Sequence, residues 1–148
     1  MTNIAAVANA GPNARSTSNS KVGLWTGRGI TALVVLFMIF DGVTKILKVP
    51  QVVQASARLH LSIADTVGIG IVLLVSTLIY ALPRTSILGA ILLTGYLGGA
   101  TAIQLQAGSP AFENGFPVIF GVLVWAGIFF RNAEVRAMIP LRARAAQR

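Results

Sequence analysis

The sequence predicts an all-α fold: a four-helix transmembrane bundle running up and down, both termini cytoplasmic, with a short surface helix between spans one and two. Three observations lead there. Of 148 residues, 55% are hydrophobic and only 11% charged, and the mean hydropathy of +0.76 lies outside the mix of a soluble domain of this length. Four apolar segments approach the roughly 20 helical residues that cross a bilayer core of about 30 Å. Prolines punctuate the chain between them.

The opening segment "MTNIAAVANAGPNARSTSNS" is small and polar, with no basic region leading into an apolar core and no clear cleavage site, so it does not resemble a secretory signal. Residues 1–22 are therefore expected to form a disordered cytoplasmic tail, 23–131 the four-span domain and 132–148 a basic cytoplasmic tail. Span one is read as Leu24 to Leu47, span two as Ser62 to Leu82, span three as Arg84 to Gln106 and span four as Phe116 to Phe130. Span four is short unless its ends extend. Pro50, Pro83, Pro110 and Pro117 are placed in connections or at a first helical turn, where a missing N–H costs little, and Pro140 past the last span. Between spans one and two, "VPQVVQASARLHLSI" puts Val49, Val52, Val53, Leu59 and Ile63 on one helical face and Gln51, Gln54 and Arg58 opposite, which predicts a helix lying on the outer leaflet.

Twelve Lys+Arg against four Asp+Glu give a formal charge of +8. These charges lie between and beyond the apolar segments rather than on one basic face, so they indicate topology and contact with anionic lipid, not nucleic acid. With the N-terminus inside, the cytoplasmic side receives Arg15, Lys21, Arg28, Arg84, Arg131, Arg136, Arg142, Arg144 and Arg148, and the outer side only Lys45, Lys48 and Arg58. Trp25, Tyr80, Phe129 and Phe130 then fall beside Arg28, Arg84 and Arg131 as boundary anchors. The chain has no cysteine, which excludes thiol redox chemistry, disulfides and cysteine-ligated clusters. One histidine argues against a protein-built metal or haem site, so no intrinsic cofactor is expected.

Asp41 is the residue to explain. It lies one turn, about 6 Å, below Lys45, acid before base at i,i+4, on one face of span one. Two readings are open: a neutralised pair that fixes the helix end, or a ligand or proton site near the outer surface. At the same depth fall His60 and Asp65 before and at the start of span two, Gln104 and Gln106 at the end of span three, and Glu113 in the last outer loop. If they converge, the bundle has a polar mouth and an apolar floor, suited to a lipophile with a polar head; otherwise each is an ordinary interfacial residue. In span three, Thr94, Gly95, Gly98, Gly99 and Thr101 share a side, with Gly95 and Gly99 forming GxxxG. That stripe reads as a helix-packing face or as a flat wall for a planar ligand. Tyr96 on the opposite side, and Trp125 in span four, need hydrogen-bond partners. No phosphate loop, nucleophile elbow, metal-ligand pair or dinucleotide fingerprint occurs.

Phe40-Asp41-Gly42 with Lys45, Pro83-Arg84-Thr85 leading to Leu88-Gly89-Ala90, Thr94-Gly95-Tyr96-Leu97-Gly98-Gly99-Ala100, and Phe116-Pro117-Val118 before Trp125 together resemble the DoxX-like family of small bacterial membrane proteins. The resemblance covers nearly the whole chain after the N-terminal tail. It implies a four-helix bundle in the bacterial inner membrane. The wider group is named for a small subunit of a thiosulfate:quinone oxidoreductase, and some relatives are associated with membrane redox complexes. The similar fold of vitamin K epoxide reductases works through cysteines, which are absent here, so that mechanism does not transfer. Asp65 is not part of the family pattern. The expected role is a non-catalytic subunit that binds a quinone or similar lipophile for a partner oxidoreductase. Asp41 and Lys45 would orient the polar head, and Tyr96 and Gln104 would assist. The alternatives are a structural or assembly protein that recruits subunits, copies of itself or lipid without a ligand, and, third, a small transporter.

Overall fold

An apolar helix in lipid satisfies its own backbone, so each hydrophobic stretch of membrane length forms a separate helix, and the breaks fall where proline or polar turn residues interrupt the run. The computed structural model describes residues 13–138 and contains six helices: α1 (Asn13–Ile46), α2 (Pro50–Arg58), α3 (Ile63–Ala81), α4 (Ser86–Gln106), α5 (Ala111–Arg131) and α6 (Ala133–Met138). Four of them, with α1 counted from Lys21, are long and apolar enough to cross a membrane. No strand occurs among the described residues.

Helix α1 starts within the segment expected to be a disordered tail. No proline or glycine interrupts 13–22, whereas Gly11-Pro12 punctuates the sequence just before it. Residues 1–12 and 139–148, with the remainder of both tails and Pro140, lie outside the described residues. Part of the expected basic tail forms α6, where Val135 is buried and Arg136 Nη1 donates to the Phe130 carbonyl at 3.1 Å. Span four is longer than its apolar core: α5 begins at Ala111, directly after Pro110. Pro117 is therefore inside the helix rather than in its first turn. It removes one backbone bond, to the Glu113 carbonyl, at the end of the helix where few bonds precede it. The surface helix is α2, with Gln51, Gln54 and Arg58 exposed as expected. Ile63 belongs to α3 and is exposed, and the most buried residue of α2 is Ser56.

In space α1 packs against α3 and α5, and α4 packs against the same two, so the helices form a ring in the order α1, α3, α4, α5. Each is antiparallel to its neighbours, as short connections require. The core is Val34 and Met38 from α1, Leu73 and Tyr80 from α3, Ala90, Leu93 and Leu97 from α4, and Phe120, Val124 and Ile128 from α5. Outward-facing Leu36, Val75, Leu78, Leu88 and Val122 are exposed and form the lipid-facing surface.

The two ends of the ring differ. At the end that carries α6, glycines draw the helices together. A Cβ on Gly27 would stand 2.8 Å from the Arg131 nitrogen and 3.0 Å from the Gly127 carbonyl, and one on Gly89 would fall on the Tyr80 backbone. Tyr80 is fully buried rather than an interfacial anchor: its hydroxyl crosses the bundle to donate to the Val124 carbonyl at 2.9 Å. Arg131 covers its ring at 5.4 Å. This end is solid. At the α2 end only α1 and α3 meet so closely, where a Cβ on Gly70 would lie 2.9 Å from Lys45 Cβ and 3.0 Å from the Gly42 carbonyl. Gly95, Gly98 and Gly99 on α4 take no part in such packing among the described residues. A Cβ added to Gly95, Gly98 or Gly99 meets nothing within 4 Å, because α4 turns Leu93 and Leu97, not its glycines, toward the core.

Candidate functional site

Close approach at one end and its absence on α4 at the other leave a cavity of about 410 Å³ between all four long helices. Residues of α1 (Phe37, Met38, Asp41 and Lys45), α3 (Thr66 and Ile69), α4 (Gly95 through Gln104) and α5 (Phe116, Pro117 and Phe120) line it. Ser56, Leu59 and Leu61, from α2 and the turn after it, also line it. Four of the six expected ligand residues, Asp41, Lys45, Tyr96 and Gln104, come together on its wall.

The Asp41–Lys45 pair follows from helix geometry. At i,i+4 the ammonium reaches both carboxylate oxygens, each at 2.5 Å, and both side chains are half-buried. Gly42 and Gly70 set where the pair stands, since α3 backs directly onto the stem of Lys45. Gln104 extends from α4 with its Oε1 buried and without a hydrogen-bond partner. Thr66 gives its proton to the Ser62 carbonyl at 2.9 Å, so its oxygen remains as an acceptor.

Beyond this polar group the lining is aromatic. Phe37 stacks on Phe120 with ring centroids 4.3 Å apart, and Phe116 leans on both at 5.4 and 4.9 Å. Gly95 and Gly99 of α4 also line the cavity, with no atom within 4 Å of where a Cβ would stand. The remaining small residues face elsewhere. Thr94, Gly98 and Thr101 border a second groove of about 570 Å³ on the outside of the bundle, with Gly121 and Trp125. Trp125 finds its partner there, donating from Nε1 to Thr94 Oγ1 at 2.9 Å.

His60 and Asp65 do not join the site. His60 follows α2 in a left-handed conformation (φ 59°) and is exposed, off the cavity wall. Asp65 is exposed and forms a capping box at the start of α3: its amide donates to Ser62 Oγ at 3.1 Å, and its carboxylate accepts from the Ser62 amide at 3.1 Å and hydroxyl at 2.6 Å. That carboxylate is occupied by the helix end. Gln106 and Glu113 are likewise exposed and off the cavity wall. The signals for the missed residues were present. Ser62-x-x-Asp65 before an apolar run is a capping-box pattern. Phe37 lies one turn before Asp41, and Phe116 and Phe120 are an i,i+4 pair on span four.

No curated protein and no solved structure shows significant similarity to the chain. The sequence profile of the DoxX-like family matches residues 29–127. That stretch holds the Asp41–Lys45 pair, the whole of α2, α3 and α4, and every residue of the cavity wall. With four membrane-length helices and a match over more than half its length, the chain belongs to the DoxX-like family.

Proposed function

We propose that the protein is a non-catalytic subunit of the bacterial inner membrane that holds a quinone or similar lipophile for a partner oxidoreductase. The observation that carries this reading is a single cavity with an ion pair and an amide on one part of its wall and three mutually packed aromatic rings on another. Such a site is amphipathic in the same sense as a ring with polar substituents and an apolar tail. Its volume of about 410 Å³ falls in the range of small-molecule pockets. It accommodates a head group, and a long tail would continue between helices into lipid. Asp41 and Lys45 orient the head, Tyr96 and Gln104 offer hydrogen bonds, and the ring lies between Phe37 and the Gly95–Gly99 backbone. The arginine-rich α6 end faces the cytoplasm in this reading, and the cavity faces the outer side. Mass spectrometry of small molecules retained after gentle purification tests it, comparing wild type with Asp41→Asn at equal folded yield. A lipophile lost selectively from the variant is the expected result; a bundle empty in both proteins would sink the assignment.

The outer groove favours a second reading, in which the protein assembles with a copy of itself. Gly98 and Gly121 leave a trough beside Trp125 and Phe129 that no part of the described chain fills, and small residues of this kind admit a neighbouring helix.

A further inference from the structure

We infer that the Asp41–Lys45 pair makes the cavity selective for lipophiles with an uncharged polar head, against fatty acids and other ionised amphiphiles of the same shape. The inference rests on the cavity being a lipophile site, and it follows from the charges on the wall. Among the described residues that line it, Asp41 is the one acid and Lys45 the one base; the other polar side chains, Ser56, Thr66, Tyr96 and Gln104, are uncharged. The ammonium holds both carboxylate oxygens at 2.5 Å, so the pair has no net charge. A ligand can reach it: Lys45 keeps 18% and Asp41 32% of its side-chain surface exposed, and both line the cavity.

A carboxylate head bonded to Lys45 stands within roughly 5 Å of an Asp41 oxygen. Repulsion from Asp41 then offsets much of the attraction of Lys45, and the hydration lost by the ligand's charge is not made good. An ammonium head meets the mirror image of that problem at Asp41. A hydroxyl or carbonyl head leaves the pair intact and meets it as one dipole meets another. The hydroxyls of Tyr96 and Ser56 on the same wall serve it as donor or acceptor. In a bilayer the membrane's own lipids compete for any such site, and some of their heads are anionic. The paired charges disfavour those competitors, whereas either charge alone would recruit the opposite ion.

The test is calorimetric titration of the full-length protein in nanodiscs of zwitterionic lipid, with empty discs subtracted. The probes are para-octylbenzyl alcohol, para-octylbenzoate and para-octylbenzylammonium at neutral pH, which share one ring and one tail. Wild type is expected to bind the alcohol at least about tenfold more tightly than either ion. Asp41→Asn should raise the affinity for the benzoate relative to the alcohol by about tenfold and leave the ammonium weak; Lys45→Met should do the reverse. An ion that binds wild type as tightly as the alcohol would overturn the selection while leaving the site itself standing. So would a folded variant whose ion preference matches that of wild type, since the pair would then not set it. If none of the probes binds wild type, the lipophile reading fails along with the selection.

Discussion

Glycine at a helix contact and glycine at a cavity wall look alike in sequence and respond oppositely to the same methyl group. Gly89 packs onto the Tyr80 backbone with no room for a Cβ, so Gly89→Ala should force α3 and α4 apart and cost about 1–3 kcal/mol or more. Gly95 meets nothing within 4 Å, so Gly95→Ala should leave thermal stability within about 0.5 kcal/mol of wild type. Unfolding of both variants in detergent checks the pair, and similar losses would contradict the geometry. Asp41 and Lys45 pose the complementary question of charge. Both are half-buried and bonded to each other, so removing one partner leaves an uncompensated charge, whereas removing both does not. Lys45→Met alone should therefore destabilise more than Asp41→Asn with Lys45→Met, with a coupling on the order of 1 kcal/mol, since water still reaches the pair. A double-mutant cycle with no coupling would show that the two charges stand independently.

Among the elements, hydropathy and proline placement made the four spans legible, because length and apolarity are what a bilayer demands of a helix. The amphipathic spacing of "PQVVQASAR" likewise marked α2. Helix ends were less legible: α5 runs through Pro117 to Ala111 since its first turns lie beyond its apolar stretch. The site was half legible. Asp41 and Lys45 are fixed by one helix, and Tyr96 and Gln104 by another. Whether residues on different helices meet depends on the ring order, which one sequence does not carry. Asp65 illustrates the local competition that periodicity overlooks: a carboxylate three residues after a serine caps its own helix instead of facing inward. Ser62→Ala or Asp65→Ala should therefore speed amide exchange in the first turn of α3, and neither should change what the purified protein retains. Loss of a bound lipophile in Asp65→Ala would return that residue to the site.

At the scale of the whole molecule, α4 has two open sides. Gly95 and Gly99 border the cavity, while Thr94, Gly98 and Thr101 border the outer groove. A GxxxG pattern names a shared face but not the neighbour it serves, so the stripe supported both the ligand and the assembly reading. The ring of helices puts Gly95 and Gly99 on the cavity and Thr94, Gly98 and Thr101 on the groove. A Cβ at either glycine meets no described atom within 4 Å, and leucine improves helix propensity by about 1 kcal/mol, so both variants should fold. Gly99→Leu fills part of the cavity and is expected to abolish lipophile retention while leaving the oligomeric state as in wild type. Gly98→Leu fills the outer groove instead, and is expected to leave retention intact and to shift the size of the particle in native mass spectrometry if copies pack there. The pair separates the two proposed readings by position, one residue apart. A bundle in which Gly98→Leu alone loses the lipophile would place the ligand outside, against the groove, and would displace the Asp41–Lys45 cavity from its proposed role.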